Sequence, residues 1–285
     1  MLTVLAPAKL NLTLEVLAKR PDGFHEIRSI IQTINLCDSL RLQLSQNIEF
    51  KSNAPYFIPE ESLASKAASL LQEATRCAKG ATIEVSKRIP LVSGLGGDSS
   101  DAAAILRGVN KLWRLGLSQE KLLELASQLG SDIAFFLHGG TSLVKGRGEI
   151  VTPLPPFPYM WVVLMVPPVP RLPEKTKRLY ASLKPSHYTG GQATDRLAAL
   201  LTGGGEITTS SLLNVFDDVA LDSFTGLEEY WGQFLKAGAQ EIHLAGSGPA
   251  LFTLVKDKTQ AENIYGNLQK QGLESYLTET LGGIK

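Results

Sequence analysis

The stretch "LVSGLGGDSSDAAAILRGVNKLW", Leu91 to Trp113, constrains the fold of this chain more than any other. Gly94, Gly96 and Gly97 stand close together and run directly into a segment of helical periodicity. Glycine adopts backbone angles closed to other residues and lets a ligand approach the main chain. Ser99, Ser100 and Asp101 are good N-cap and first-turn residues. Ala102, Ile105, Leu106, Val109, Leu112 and Trp113 then fall on one helical face. With the strand-like "ATIEVSKRIP" before it, the segment predicts a strand, a glycine loop and a helix. Free amides of a helix start, presented by such a loop, bind an anion such as a phosphate. The loop is not a dinucleotide fingerprint, because Ser99 stands where the last glycine of GxGxxG belongs. It is not a Walker A loop either, since no Gly-Lys-[Ser/Thr] follows. A glycine turn without a ligand stays open as the competing reading.

Around this unit strands and helices alternate irregularly. Leu10, Leu12, Leu14 and Val16 alternate with Asn11, Thr13 and Glu15, the pattern of a half-buried strand. "PDGFHEI" is a turn of the kind that joins antiparallel strands, and "SIIQTINL" and "SLRLQL" continue as strand. Helical spacing covers about Glu61 to Cys77 and "SQEKLLELASQLG", which ends on Gly130. "TSLVKGRGEIVTPLP" reads as strand, turn, strand. The proline-rich run Pro153 to Met160 marks a domain boundary, giving parts 1–152 and 153–285. Beyond it come a buried strand "MWVVLMV", a helix around "EKTKRLYASL", a polar glycine-containing region near 189–210 and a helix "GLEEYWGQFLKAG". "EIHLAGSGPALFTLV" reads as strand, loop, strand, and "KTQAENIYGNLQKQG" as a final helix. Several adjacent strands lack an intervening helix, which favours an α+β fold over a doubly wound parallel sheet.

Composition narrows the class. The 285 residues, 44% of them hydrophobic and 20% charged, suffice for one large domain or two ordinary ones with a sizeable core. Lys+Arg and Asp+Glu each total 28, so no basic excess points to nucleic acid and no charge block to an interaction tail. Cys37 and Cys77 form no CxxC pair and the four histidines no HExxH, which argues for a reducing compartment without structural zinc or disulfides. "MLTVLAPAKLNLTLEV" meets Pro7 and Lys9 too early for a secretory core, and "YMWVVLMVPPVP" is too short to span a membrane. The expectation is a soluble cytoplasmic protein.

Three signals are weak singly: the glycine segment, a second small-residue loop at Gly246-Ser247-Gly248, and Lys9 in an apolar strand, where a solvated edge lysine is the plainer reading. Together they resemble the kinase superfamily that phosphorylates galactose, homoserine, mevalonate and phosphomevalonate, the GHMP kinases. "APAKLNLTLEVLAKRPDGFHEI", "KRIPLVSGLGGDSSDAA", "LGSDIAFFLHGGTSLVKGRGE" and "LAGSGPALF" are similar to the signatures of one family within it, the 4-diphosphocytidyl-2-C-methyl-D-erythritol kinases, from about residue 3 to 255. The resemblance implies a two-domain α+β fold with ATP and substrate between the domains. It also implies transfer of the ATP γ-phosphate to the 2-hydroxyl of the methylerythritol, in the non-mevalonate route to isoprenoid precursors. The same fold acting on mevalonate or homoserine is the alternative, and a nucleotide-binding module without catalysis is a third reading.

The resemblance also implies roles. Asp132 matches the catalytic aspartate that accepts the hydroxyl proton, and Lys9 the lysine paired with it. On its residue type alone, Asp132 or Ser131 reads as a helix cap. Lys87 and the run Leu91, Val92, Ser93, Gly94, Leu95, Gly96, Gly97, Asp98, Ser99 and Ser100 correspond to the ATP-binding part, with a solvated strand-end lysine the plainer reading of Lys87. Asn11, Phe24, His25, Thr176, Tyr180, Gly246, Ser247 and Gly248 correspond to substrate contacts, Phe24 and Tyr180 as the walls of a cytosine sandwich and His25 at its edge. Three positions depart from the family pattern. Asp98 replaces a small residue, Phe24 a tyrosine, and Ser62 an asparagine that contacts adenine. ATP is the implied cofactor, with Mg2+ as its complex and no metal ligands assigned; Ser100 and Asp98 are candidates only. The expected partners are ATP and the cytidine diphosphate methylerythritol, with no nucleic acid and no membrane, and the chain acts as a monomer or homodimer.

Overall fold

The computed structural model describes residues 1–54, 58 and 61–283. The chain is α+β and divides into two compact units that interleave along the sequence. Unit 1 comprises Met1–Ala8, Leu36–Leu91 and Gly96–Gly139; unit 2 comprises Lys9–Asn35, Val92–Leu95 and Gly140–Lys285. Two long strands, β1 (Leu2–Lys19) and β2 (His25–Ser45), contribute residues to both. The turn between them is the predicted Pro-Asp-Gly, closed by Arg20 N–H to Phe24 O at 2.8 Å, with Gly23 at φ +85°.

In unit 1, Ser39–Ser45 of β2 pairs antiparallel with β4 (Gly80–Ser86), and β3 (Ile48–Ser52) runs parallel to β4 on its other edge. Helices α1 (Leu63–Thr75), α2 (Gly97–Trp113), α3 (Gln119–Ser127) and α4 (Ser131–His138) complete it. Helix α2 lies tight on the strands: a Cβ at Gly108 would stand 2.4 Å from Leu42 and 2.9 Å from Val4. Of its predicted apolar face Ala102, Ile105, Leu106, Val109 and Trp113 are buried and Leu112 half-buried, and Trp113 Nε1 donates to Gly80 O at 3.1 Å.

In unit 2, Ile27–Gln32 of β2 pairs antiparallel with β5 (Thr141–Gly146), which pairs with β6 (Ile150–Pro153). A four-stranded sheet follows, in the order β11 (Ser275–Glu279), β7 (Trp161–Met165), β10 (Leu251–Val255), β9 (His243–Leu244). The short β8 (Leu213–Asn214) runs parallel to β1 at Thr13 and Leu14. Helices α5 (Lys175–Ser182), α6 (Gln192–Gly203), α7 (Asp217–Ser223), α8 (Leu227–Lys236) and α9 (Lys258–Lys270) surround a core that includes Leu14, Val163, Met165, Phe216, Phe234 and Leu251. Helix α6 occupies the stretch expected to be a polar glycine-containing region, and β11 follows the helix expected to be last. Residues 153–160 run within unit 2. Among the described residues no helix is long and apolar enough to cross a membrane.

Candidate functional site

Strand β1 is buried on both faces, not one. Leu10, Leu12, Leu14 and Val16 form the apolar face, and Lys9, Asn11, Thr13 and Glu15 the other, all within the interior. The polar face meets protein instead of water, because each group finds a partner. Lys9 Nζ donates to Asn11 Oδ1 at 2.6 Å, and Asn11 Nδ2 to Ser29 Oγ at 2.8 Å. Thr13 Oγ1 accepts from Ile30 N–H and from Thr194 Oγ1, both at 2.9 Å. Glu15 accepts from Thr189 Oγ1 and Thr194 N–H, both at 2.8 Å. Lys9 is only 6% exposed, so it is not a solvated edge lysine.

Two loops of unit 2 close over this row. Gly94, at φ +94°, approaches Ala245 so closely that a Cβ would stand 1.9 Å from its carbonyl oxygen. A Cβ at Gly246 would stand 2.9 Å from Gly94 O, 3.2 Å from Lys9 Nζ and 3.3 Å from Asn11 Oδ1. Backbone bonds reinforce the contact: Ala250 N–H to Ser93 O at 3.1 Å and Lys9 N–H to Leu95 O at 2.9 Å. Asn214 Nδ2 holds Leu244 O at 2.9 Å and Gly246 O at 2.8 Å. Lys175 Nζ donates to Val92 O at 3.1 Å and to Gly248 O, and Thr176 Oγ1 lies 3.1 Å from Ser247 Oγ. Burial, with a smaller push from Lys9, lowers the Lys175 ammonium to about 7. Sequence reasoning missed Asn214, Lys175 and Thr194, whose partners in Leu244–Gly248, Val92, Thr13 and Glu15 are distant in the chain.

The glycine segment enters unit 1 at Gly96, and helix α2 begins at Gly97, earlier than the serines that were expected to cap it. Gly96 itself is the cap, at φ +75°, and no side chain closes the helix start. The first-turn amides of a helix have no intrahelical partner, and anions bind there. Asp98 does not fill the cradle: its side chain is 71% exposed in the first turn. Ser99 follows it in that turn, and Ser100 Oγ, buried, donates to Pro7 O at 2.7 Å. Leu91, half-buried, ends the unit 1 stretch that leads into the loop.

Beneath the helix start, Lys87 is an interior cation and not a solvated strand end. Its Nζ stands 2.6 Å from Asp38 and 2.7 Å from Asp101, with Asp98 at 3.8 Å. Asp38 Oδ1 also accepts Arg88 N–H at 2.5 Å and Ile89 N–H at 2.8 Å. Burial disfavours charge on Lys87, but Asp101 and Asp38 outweigh it and raise the ammonium. Burial pushes the Asp101 carboxyl up to about 7; Lys87 opposes the push, while Asp38 and Asp98 add to it. A Cβ at Gly97 would stand 3.2 Å from Ile89 and 3.4 Å from Lys87 Nζ, so the glycine lets the helix start sit directly on this cluster.

Asp132 lies half-buried in the first turn of α4. The cap of α4 is Gly130, and no side chain makes a cap hydrogen bond, so neither Ser131 nor Asp132 acts as the cap. In α1 the cap is Ser62, whose side chain accepts Ser65 N–H at 3.0 Å.

The aromatic residues gather in unit 2. His25 stacks on Tyr180 with ring centroids 5.0 Å apart and planes inclined by 25°. Tyr188 meets His25 edge-on at 6.1 Å, and Phe216 meets Tyr180 edge-on at 4.9 Å. The His25–Tyr180 spacing is that of a direct stack, with no thickness for a base between those two rings. Phe24 is 55% exposed, and the Arg147 guanidinium sits 4.8 Å from its ring centroid. Burial, and after it the charge on Lys19, lower the His25 imidazole from its ordinary value.

Residues 62–140 match the GHMP kinases N terminal domain and residues 195–273 the GHMP kinases C terminal model. The chain is 50% identical over 282 residues to the 4-diphosphocytidyl-2-C-methyl-D-erythritol kinase of Dehalococcoides mccartyi, covering 99% of both chains. It is similar to the crystal structure of a 4-(cytidine 5'-diphospho)-2C-methyl-D-erythritol kinase, with a TM-score of 0.82, 30% identity and 99% and 100% of the two chains covered. L. major mevalonate kinase in complex with R-mevalonate shares the fold at a TM-score of 0.76, but only 16% identity, over 100% and 97% of the two chains.

Proposed function

We propose a reaction for this chain from its family: it belongs to the 4-diphosphocytidyl-2-C-methyl-D-erythritol kinases, within the GHMP kinases. It is a small-molecule kinase that uses ATP. The reaction is phosphorylation of the 2-hydroxyl of 4-diphosphocytidyl-2-C-methyl-D-erythritol, giving the 2-phosphate and ADP, in the non-mevalonate route to isoprenoid precursors. The observation that carries this reading is the 50% identity over 99% of both chains. Mevalonate and homoserine are not favoured as acceptors, since the mevalonate kinase of L. major is similar at only 16% identity, a likeness of fold alone.

The roles of individual residues are part of the proposal. When bound, ATP supplies the phosphoryl group that is transferred. The residues at the glycine segment fit a phosphate-bearing ligand, because Gly96 leaves the start of α2 without a side-chain cap. Asp132 accepts the proton of the attacking hydroxyl. Lys9 offsets negative charge on the transferred group, and its orientation is fixed by Asn11. Lys87 carries out its ATP-side role through the Asp38–Lys87–Asp101 cluster, by holding the start of α2. Phe24 offers an exposed ring face to the cytosine, with His25, Thr176, Tyr180 and Gly246–Gly248 as further substrate contacts. Magnesium accompanies ATP, because the charge on its phosphates must be neutralised. Of the two side chains considered as its ligands, Ser100 is engaged with Pro7 O and Asp98 is exposed. Parts 1–152 and 153–285 are the proposed functional division, supported by family-model matches that fall on either side of Pro153. A cytoplasmic location and action as a monomer or homodimer complete the proposal.

The test is ADP release from the purified protein with ATP and magnesium, offering in turn the cytidyl substrate, mevalonate, homoserine and galactose. Turnover confined to the cytidyl substrate is the expected result. Turnover with another acceptor instead would overturn the substrate assignment.

A further inference from the structure

We propose that Lys175 is a positioning residue that fixes the Val92–Leu95 turn against the Gly246–Gly248 loop, the two backbone segments of unit 2 assigned above to phosphate-bearing ligands. The inference rests on that phosphotransfer reading for its meaning but on its own geometry for its content.

Lys175 is the first residue of α5 and only 8% exposed. A cation at a helix N-terminus opposes the macrodipole, and a buried ammonium without a carboxylate is costly. Its bonding partners are two neutral carbonyls, Val92 O at 3.1 Å and Gly248 O. The charged groups around it offer no relief among the described residues. Lys9 of β1 adds repulsion, and Glu174 is turned to Lys177 at 3.1 Å. Asp217 of α7 is engaged by His243 at 3.3 Å and by Leu244 N–H at 3.0 Å. The two carbonyls belong to the two loops that meet at Gly94 and Ala245, so one side chain ties both. Its neighbour Thr176 reaches Ser247 at 3.1 Å, so the first turn of α5 governs the second loop at two points. A neutral side chain would fill the same space at lower cost. What the ammonium adds is two directed bonds and a further N–H, with a positive charge, beside loops that are to receive an anion.

Two measurements on wild type, Lys175→Met and Lys175→Arg test this. The first is steady-state ADP release with ATP and the cytidyl substrate across pH. Lys175→Met should lower kcat/KM for ATP on the order of a hundredfold, and Lys175→Arg should recover most of that loss. Wild-type kcat/KM should fall as pH rises through about 7, where the ammonium loses its proton. Lys175→Arg, permanently charged, should not show that fall. The second is amide hydrogen exchange, expected to quicken in Lys175→Met at both Val92–Leu95 and Gly246–Gly248. Wild-type kcat/KM in Lys175→Met, or an unaltered alkaline fall in Lys175→Arg, would overturn the proposal. If Lys175→Met does not fold, the pH profile of Lys175→Arg decides. If wild type turns over no acceptor, the reaction reading fails, and exchange still decides the role of Lys175: unchanged exchange at both loops refutes it.

Discussion

Replacing Asp101 by asparagine removes one ionisable proton from the interior of unit 1 while keeping the shape of the side chain. Asp101 is 2% exposed, and it shares the Lys87 ammonium with Asp38 at 2.7 and 2.6 Å respectively. One ammonium thus faces two buried carboxylates. Burial is the main reason that the Asp101 carboxyl rises from 3.8 to about 7. Between those two values the folded chain keeps a proton that the unfolded chain has released. The group therefore stabilises the fold at acid pH, and that contribution is lost as pH rises through about 7. A gap of about three pH units has a ceiling of ~4 kcal/mol, and sharing of the proton balance with Lys87 brings the expected swing to ~2 kcal/mol. For a chain of 285 residues that is about 3 °C in Tm. The assay is thermal unfolding of wild type and Asp101→Asn from about pH 4 to about pH 8.5. The Tm difference, variant minus wild type, should climb by that amount as pH rises. Subtracting the two proteins removes the contribution of titrating groups outside the Asp38–Lys87–Asp101 cluster. A difference that stays flat, or declines, would refute a protonated Asp101 within the cluster.

Further outcomes follow from the same geometry. Asp132→Asn should lower kcat by roughly 10²–10⁴-fold while leaving ATP affinity largely intact, measured by ADP release and by titration calorimetry; unchanged kcat would take Asp132 out of the mechanism. Phe24→Ala should shift stability by no more than ~0.5 kcal/mol, since the ring is exposed. It should nonetheless raise KM for the cytidyl substrate roughly tenfold through lost stacking, and an unchanged KM would dispose of that contact. Gly94→Ala would place a methyl 1.9 Å from Ala245 O at a φ of +94°. A loss of about 2–4 kcal/mol in denaturant unfolding is expected, and an unchanged midpoint would contradict the close approach of the two loops.

The glycine segment, the α+β alternation and most element positions were legible because they rest on local chemistry. Glycines before a helix, alternation in β1 and the helical spacing of α1, α2 and α9 all act within a few residues. What escaped depended on distant partners. The polar row of β1 read as a solvated face, because lysine, asparagine, threonine and glutamate look the same whether they meet water or protein. Their partners Ser29, Thr189 and Thr194 decide the matter, and Glu15 reaches 179 residues along the chain to Thr194 N–H. Helix α6 was obscured by the glycines at both of its ends, Gly190-Gly191 and Gly203-Gly204-Gly205, although "QATDRLAALL" between them is good helical sequence. For Lys87 the sequence offers an ATP contact and a solvated strand end alike, since nothing near it announces that Asp38 and Asp101 converge there. Lys175 gave no signal, its partners being main-chain carbonyls.

Strand β1 carries both the packing and the chemistry, on opposite faces of one backbone. Because side chains alternate with a period of two, inserting or deleting a single residue between Ala8 and Val16 would reverse every one beyond it. Leucines would then face the hydrogen-bonding partners, while lysine, asparagine and glutamate would face the apolar core. Point substitutions in this strand can be repaired one at a time, but a frame-preserving indel there cannot. Its length is therefore fixed by both faces at once, and a codon-insertion library scored for survival should show a deeper gap over these residues than over the exposed turn at Pro21–Gly23.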